Sequence, residues 1–162
     1  MSNIVLSPIG IIYSPFATAA GIPIQPRAAI GVTGQVVVFP EYSEGLNDLA
    51  GFSHLYLLYH FHLAGSFQLK VVPFLDSEPR GVFATRAPSR PNRLGLSVVR
   101  LRELRGNILV VENVDVVDGT PLIDIKPYVP AFDHWKVDSI GWLADKSASV
   151  PAARSDDRFE QP

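Results

Sequence analysis

The sequence predicts a mainly β protein that forms a small closed or nearly closed β-barrel with one or two short helices. Short runs of β-branched and aromatic residues are separated by turn residues, which is typical of strands joined by tight connections. The 14 prolines and 12 glycines among 162 residues argue against a helical bundle. A hydrophobic content of 47 % with 19 % charged residues is sufficient for one packed core, so we expect a single domain.

The strand signal falls in separate segments along the chain. They are residues 3–12, 35–39, 52–63, 94–104, 107–117 and 122–129. Residues 52–63, FSHLYLLYHFHL, are the richest in aromatic and branched side chains and are apolar on both faces, so this strand should be central. One modest helix signal lies in residues 41–50, where Leu46 and Leu49 are three positions apart.

Several classes of protein and site are disfavoured by what the sequence lacks. Without cysteine the chain has no disulfides and no cysteine-ligated metal. Residues 1–10 lack the basic start of a secretory signal and no apolar run reaches the length of a membrane span, so we expect a cytoplasmic protein with no membrane partner. Neither a Rossmann glycine motif nor a P-loop motif is present. His54, His60 and His62 share a strand face, but no carboxylate follows at matching spacing, so we favour core or interface histidines and expect no metal.

Arginine is concentrated in one segment, residues 80–105, where seven arginines accompany a single acid, Glu103. Guanidinium groups suit carboxylates and phosphates, so the cluster predicts an anionic ligand or a nucleic acid; the alternative is a solvated loop and strand. Pro88 and Pro91 restrict the backbone here, which predicts a shaped loop. Because the net charge of the chain is −2, nucleic-acid binding would depend on this local patch.

A second block, DVVDGTPLIDIKPYVP over residues 115–130, combines a turn with a polar strand. Asp118 and Gly119 begin the turn, and a plain turn followed by a strand end is the alternative interpretation. Asp124, Lys126 and Tyr128 would share one face of an otherwise apolar strand, which is a plausible polar constellation for a site.

The arginine segment RGVFATRAPSRPNRLGLS and the second block closely resemble the signature of the TsaA-like family, the tRNA adenosine N6-methyltransferases called TrmO. The resemblance spans roughly residues 4–133. It implies a non-Rossmann methyltransferase barrel, which we place at residues 1–145, with S-adenosylmethionine as methyl donor. The implied acceptor is N6 of threonylcarbamoyladenosine at position 37, in the tRNA anticodon loop, and the implied assembly is a homodimer. Because large apolar residues become scarce from residue 146 onward, we expect a flexible tail over residues 146–162.

Within this resemblance, three groups of residues become candidates for the site. The expected cofactor-binding residues are Pro26, Arg27, Ala28, His62, Leu63, Arg86, Arg90, Leu96, Asp115, Asp118, Gly119 and Thr120, with Leu94 helping Leu96 to shape an apolar slot for adenine. The candidates for accepting the proton are Asp124, Tyr128 and Asp133, and the expected substrate-binding residues are Asn92, Arg93, Arg100, Arg102 and Lys126.

The chain departs from the family pattern at three of these positions. Ala28 and Leu63 replace glutamines, and Arg93 stands where the family usually has a proline, which we expect to loosen the loop. Two other functions therefore stay open: methylation of a small molecule, and RNA binding without catalysis.

Overall fold

Eight strands and one α-helical turn are found in the computed structural model, which describes residues 3–156, 158 and 159. The strands are β1 (Gly10–Tyr13), β2 (Thr33–Val38), β3 (His54–His60), β4 (Lys70–Val71), β5 (Arg80–Gly81), β6 (Leu94–Arg105), β7 (Ile108–Glu112) and β8 (Thr120–Pro127), and α1 is Pro130–Asp133. Single or double 3₁₀ turns occupy Pro26–Ala28, Pro40–Leu46, Leu49–Gly51, Val82–Ala84, Gly141–Leu143 and Ser147–Ala152.

Six of these strands close into an antiparallel barrel in the order β1-β2-β7-β6-β3-β8, with β8 pairing back onto β1. The short strands β4 and β5 form a separate two-stranded sheet beside it. The predicted fold class, a mainly β closed barrel with few short helices, is confirmed.

The alternation of side chains along each strand explains how the barrel is filled. In β3, Leu55, Leu57 and Tyr59 are buried while the intervening residues are only partly so. β3 pairs with β6 on one side and β8 on the other. Every strand of the closed barrel is paired on both sides, so this pairing does not make β3 more central than the other strands. The core consists mainly of Ile12, Val36, Val38, Leu55, Leu57, Val99, Leu109, Val111, Val114 and Leu122.

The helix predicted over residues 41–50 is wrong in type. The chain forms two 3₁₀ turns, Pro40–Leu46 and Leu49–Gly51, interrupted by Asp48 at a φ of 64°. A left-handed residue cannot continue a right-handed helix, and only Leu46 of the first turn is buried. Similarly, the strand expected to reach residue 117 ends at Glu112, because Asn113 has a φ of 68°.

The described residues beyond residue 145, which we call the C-terminal segment (residues 146–156, 158 and 159), lie against the barrel domain. Ser155 exchanges backbone hydrogen bonds with the loop before Pro26–Ala28, from its own N–H to Ile22 O and from the Gly21 N–H to its carbonyl, both 2.8 Å. Phe159 meets Phe74 edge-on with 5.1 Å between ring centroids. In the structure this segment therefore packs against the barrel domain. The expected flexibility of residues 146–162 stays a prediction. No helix among the described residues has the length and apolarity that crossing a membrane requires.

Candidate active site

A cavity of about 330 Å³ opens at the end of the barrel where β3 finishes and β6 begins. Its walls come from residues 19–25, the loop after β3, the loop at residues 85–90, the start of β6, residues 115–120 and the C-terminal segment. This volume lies in the range of small-molecule sites, and the lining combines apolar side chains with a few polar groups.

The two sequence blocks that predicted the site meet in this cavity. The predicted residues that line it are His62, Leu63, Arg86, Arg90, Leu94, Leu96, Asp115 and Thr120. Arg86, Arg90 and residues 94–96 of the arginine segment therefore face the same space as Asp115, Val116, Val117 and Thr120 of the second block. The turn Pro26–Ala28 follows directly on Gln25, which is itself part of the wall.

Arg86 and Arg90 occupy the same loop but are held differently. Arg86 Nη1 donates to Gln25 Oε1 at 2.7 Å, and both side chains also border a second cavity of about 460 Å³. Arg90 Nη1 instead donates to the carbonyls of Val82 and Thr85, at 3.0 and 2.8 Å. Arg90 thus ties down the loop, whereas Arg86 leaves donors available to an anion in the cavity.

The Asp118 turn shapes the cavity wall and does not itself point into the cavity. Asp118 Oδ1 accepts a hydrogen bond from the Ser14 N–H at 2.9 Å, and Gly119 has a φ of 74°, which a glycine adopts readily. Thr120 Oγ1 donates to the Val117 carbonyl at 2.7 Å. Asp118 and Gly119, predicted to contact the cofactor, are not among the residues that line the cavity.

A hydrogen-bonded chain of three side chains enters the cavity from the barrel interior. Ser97 Oγ donates to Asp115 Oδ1 at 2.6 Å, so the Tyr59 hydroxyl, 3.0 Å from Ser97 Oγ, is the donor to the serine. Burial raises the pKa of Asp115 to about 7, against the opposing effect of the Ser97 hydrogen bond. Burial and the neighbouring Asp115 raise the pKa of Tyr59, so the phenol stays neutral near pH 7. The Tyr59 ring lies over Gly95, where any Cβ would overlap it.

The three residues predicted to accept the proton lie outside this cavity. Asp124 pairs with Lys126 at 2.8 Å, and both side chains are substantially exposed. In the strand register Asp124 is opposite Leu58, whose face of β3 points away from the core. Tyr128 packs on Tyr56 with 5.5 Å between ring centroids, and Asp133 Oδ2 accepts the Val129 N–H at 2.6 Å.

The predicted substrate arginines divide into paired and unpaired groups. Arg102 Nε lies 2.7 Å from Glu112 Oε1 across the β6–β7 ladder. Arg93 and Arg100 form no ion pair within the described part of the chain. Asn92 and Arg93 occupy the loop just before β6, and Lys126 is the partner of Asp124.

The backbone at Arg93 adopts a conformation that is closed to the proline usual in the family. Its φ is 47°, a value the proline ring cannot adopt, and its carbonyl accepts the Phe61 N–H at 2.8 Å. The expectation that Arg93 loosens the loop is therefore wrong: this path of the backbone requires a residue other than proline and is anchored to the end of β3.

Some lining residues were not predicted from the sequence. They are Gln25, Tyr59, Phe61, Thr85, Ser155, Asp156 and Phe159, and Ser97 lies directly behind Asp115. A signal for Ser97 was present, because it is the polar member of an inward row that continues with Val99 and Leu101. The residues of the C-terminal segment carried no such signal. Among the described residues no group of three or more histidine and acidic side chains could hold a metal.

A closed antiparallel barrel with an arginine loop and an Asp-Gly-Thr-Pro turn beside one cavity defines a β-barrel domain with a small-molecule site, distinct from doubly wound folds. Residues 11–134 match the family model described as the tRNA-methyltransferase O N-terminal domain. The chain therefore belongs to the tRNA-methyltransferase O family.

Relatives of known name agree with this placement. A Pyrococcus abyssi protein named a probable S-adenosyl-L-methionine-binding protein is 55 % identical over 152 residues, covering 94 % of this chain and 83 % of the relative. The mouse tRNA (adenine(37)-N6)-methyltransferase is 37 % identical over 140 residues, covering 81 % of this chain and 32 % of that enzyme. The crystal structure of TrmO from Pseudomonas aeruginosa matches with a TM-score of 0.73 and 38 % identity, over 87 % of this chain and 63 % of that one. The chain thus spans about a third of the mouse enzyme and less than two thirds of the bacterial structure.

Proposed function

We propose that this chain is an S-adenosylmethionine-dependent tRNA methyltransferase that modifies N6 of threonylcarbamoyladenosine at position 37. Family membership supports the general activity, methylation of an adenine N6 atom in tRNA. The observation that carries the proposal is the meeting of Arg86 with residues 115–120 at one cavity of about 330 Å³.

The residues of the cavity fit the proposed cofactor. When bound, S-adenosylmethionine supplies an electrophilic methyl group on a sulfonium centre. Arg86 has guanidinium donors for the carboxylate of the amino-acid moiety, and Gln25 fixes the orientation of that guanidinium. Leu94, Leu96 and Phe61 provide an apolar wall against which an adenine ring can pack.

The proposed acceptor is an unpaired base of the tRNA anticodon loop. Such a base is already partly unstacked, so its entry into the cavity costs less than extrusion from a duplex. Arg93, just before β6, and Arg100, within β6, have no ion-pair partner among the described residues, so their charge is available for phosphates. A net charge of −2 makes such a local patch necessary.

We include a homodimer in the proposal. Phe132, Trp135 and Val137 follow β8 and are mostly exposed, as is Phe67 after β3. Exposed aromatic and branched side chains of this kind are enriched at subunit contacts. Light scattering coupled to size-exclusion chromatography should give twice the mass of 17.7 kDa, and a monomer mass over the whole concentration range would contradict this part.

The acceptor is tested by methyl transfer from labelled S-adenosylmethionine to tRNA that carries or lacks the threonylcarbamoyl group. Label should enter the modified tRNA alone. Label in neither tRNA would overturn the tRNA assignment. A protein that bound tRNA but gave no heat with S-adenosylmethionine in calorimetry would be an RNA-binding barrel.

The cofactor site is tested by Arg86→Ala, with Arg105→Ala as a matched control at the far end of β6. Loss of a charge-assisted contact should weaken S-adenosylmethionine binding by about tenfold or more. Arg105 is paired with Glu103 and should leave the affinity unchanged. Equal affinities for wild type and Arg86→Ala would refute the role of Arg86.

A further inference from the structure

The cavity contains two acidic side chains, and they differ in how their charge is balanced. Asp156 Oδ2 lies 2.6 Å from Arg158 Nη2, so it is already paired with a cation. Asp115 has no ion pair among the described residues and is held by the Ser97 hydroxyl. Asp115 is half-buried. A carboxylate that is withdrawn from water without an ion-pair partner is expensive to maintain, and such groups concentrate where proton transfer is needed.

We propose that the Asp115 carboxylate accepts the proton from the adenine N6 atom, and that Ser97 and Tyr59 are positioning residues that orient it. The inference rests on the proposed function and replaces Asp124, Tyr128 and Asp133 as the candidates for this step. Asp115 lines the cavity, whereas none of those three does.

The step balances in charge and atoms. As the N6–CH₃ bond forms, the S–CH₃ bond of the donor breaks with its electron pair remaining on sulfur, and N6 gives its proton to a carboxylate oxygen of Asp115. A cationic donor and an anionic carboxylate become a neutral thioether and a neutral carboxylic acid. Two opposite charges inside a poorly solvated cavity are thereby removed, so burial favours the products of this step.

The Ser97 hydroxyl and the backbone N–H of Asp115 itself both donate hydrogen bonds to the Asp115 carboxylate. Oδ1 receives the Ser97 hydrogen bond, and Ser97 in turn receives the Tyr59 hydroxyl, so the serine cannot rotate to donate elsewhere without breaking the chain. Tyr59 is itself fixed against Gly95 by close packing. This arrangement holds the carboxylate in one orientation, which efficient proton transfer requires.

Other titratable groups share the cavity and must be separated from Asp115 in any pH profile. They are Tyr59 on β3, His62 after β3, Arg86 and Arg90 on the loop before β6, and Asp156 of the C-terminal segment. Burial raises the pKa of Asp115 to about 7, which suits a base working near neutral pH, while the Arg86 charge acts in the opposite sense. His62 is the group most easily confused with it, since burial and His60 lower the pKa of its imidazole from 6.5.

The test compares Asp115→Asn, Ser97→Ala and His62→Gln, with Glu41→Gln, an exposed position of the turn Pro40–Leu46 outside the cavity, as the control. Single-turnover methylation of threonylcarbamoyl-modified tRNA at saturating S-adenosylmethionine is measured from about pH 5 to about pH 9, and cofactor affinity is measured by calorimetry. In parallel, the Asp115 carboxyl group is titrated by ¹³C NMR in the cofactor-free wild type and Ser97→Ala.

Asp115→Asn should bind the cofactor normally and lose about a hundredfold or more in rate. In Ser97→Ala, the fall in rate at low pH (the acid limb of the rate profile) and the NMR titration midpoint of Asp115 should both move to higher pH. The reason is that the lost hydrogen bond stabilised the carboxylate. His62→Gln should keep the fall in rate at low pH, and Glu41→Gln should match wild type.

Three results would overturn the inference. An unchanged rate in Asp115→Asn would show that Asp115 is not the proton acceptor. A weaker cofactor affinity in Asp115→Asn, with a normal rate at saturating cofactor, would make Asp115 a cofactor ligand. If His62→Gln lost the fall in rate at low pH, the role of proton acceptor would belong to the histidine. If the wild type methylates neither tRNA, the proposed function fails and this inference fails with it. If both the wild type and Asp115→Asn are active, only the inference is overturned.

Discussion

Asp115 has a consequence for stability that is independent of any substrate. Burial raises its pKa from the ordinary value of 3.8 to about 7, so the folded state binds this proton more tightly than the unfolded state does. Its contribution to stability is therefore complete below about pH 4 and declines as the pH rises towards 7, by an amount on the order of a few kcal/mol.

Asp115→Asn should remove this decline, since an amide does not ionise. We expect the free energy of unfolding of the variant to exceed that of wild type near pH 8 and the two to converge near pH 4. Urea unfolding over this range measures the difference, with Asp124→Asn as an exposed control. Parallel pH profiles for wild type and Asp115→Asn would contradict the expectation.

Gly95 is required by the Tyr59 ring that lies over it. A Cβ at Gly95 would overlap the ring atoms, so Gly95→Ala must displace Tyr59 from its place beside Ser97. We expect a loss of about 1–3 kcal/mol in thermal or urea unfolding. Gly45→Ala is the matched control, because nothing lies within 4 Å of its Cβ position. Equal losses in the two variants would show that the packing of Tyr59 is not the reason.

At the scale of elements, one serine of the C-terminal segment makes several of its hydrogen bonds to the barrel domain. Ser155 Oγ accepts the Ile22 N–H at 2.9 Å and donates to the Ala19 carbonyl at 2.5 Å, and Ser155 also lines the cavity. Ser155→Ala should therefore speed tryptic cleavage after Arg154 by about thirtyfold, since two hydrogen bonds of about 1 kcal/mol each are lost.

Mass spectrometry of the tryptic fragments measures this cleavage. Ser149→Ala serves as the control because its hydroxyl bonds only to the local Lys146 carbonyl. Wild type that is cleaved after Arg154 as fast as Ser155→Ala would support the flexible tail expected from the sequence.

The elements that the sequence predicted well are those with strong alternation. The strand predicted over residues 52–63 agrees with β3 within three residues at each end, because β3 alternates between buried and partly buried positions throughout. The ends of β7 and the turns at residues 40–51 were missed, because Asp48 and Asn113 adopt left-handed conformations that ordinary propensities do not reveal.

The candidate site was predictable in its location but not in its chemistry. Two sequence blocks located the cavity, since both carry unusual polar residues between prolines and glycines. Asp115 lies in the loop before β8 and lines the cavity. The strand register instead places Asp124 opposite the outward-facing Leu58. Register is a property of the closed sheet and cannot be assigned from one strand's sequence.

For the molecule as a whole, the distribution of paired arginines predicts how RNA binding responds to salt. Arg100 is exposed on the outer face of β6, while Arg105 is neutralised by Glu103 through two hydrogen bonds of 2.6 and 2.5 Å. Arg100→Ala should weaken tRNA binding and reduce the slope of log affinity against log salt by about one, because one fewer counterion is released.

Filter binding at several salt concentrations measures that slope. Arg105→Ala should change it less, because the partner acid already balances the charge of Arg105. A slope that falls in Arg105→Ala but not in Arg100→Ala would place the RNA on the other end of the barrel.

The pairing of β1 with β8 also determines when this protein can fold during its synthesis. Ile12 is opposite Thr120, so the sheet has an open edge on β1 until more than a hundred further residues have left the ribosome. Until then β1 has no β8 to pair with, so we expect its unpaired edge to be open to association with other strands during synthesis.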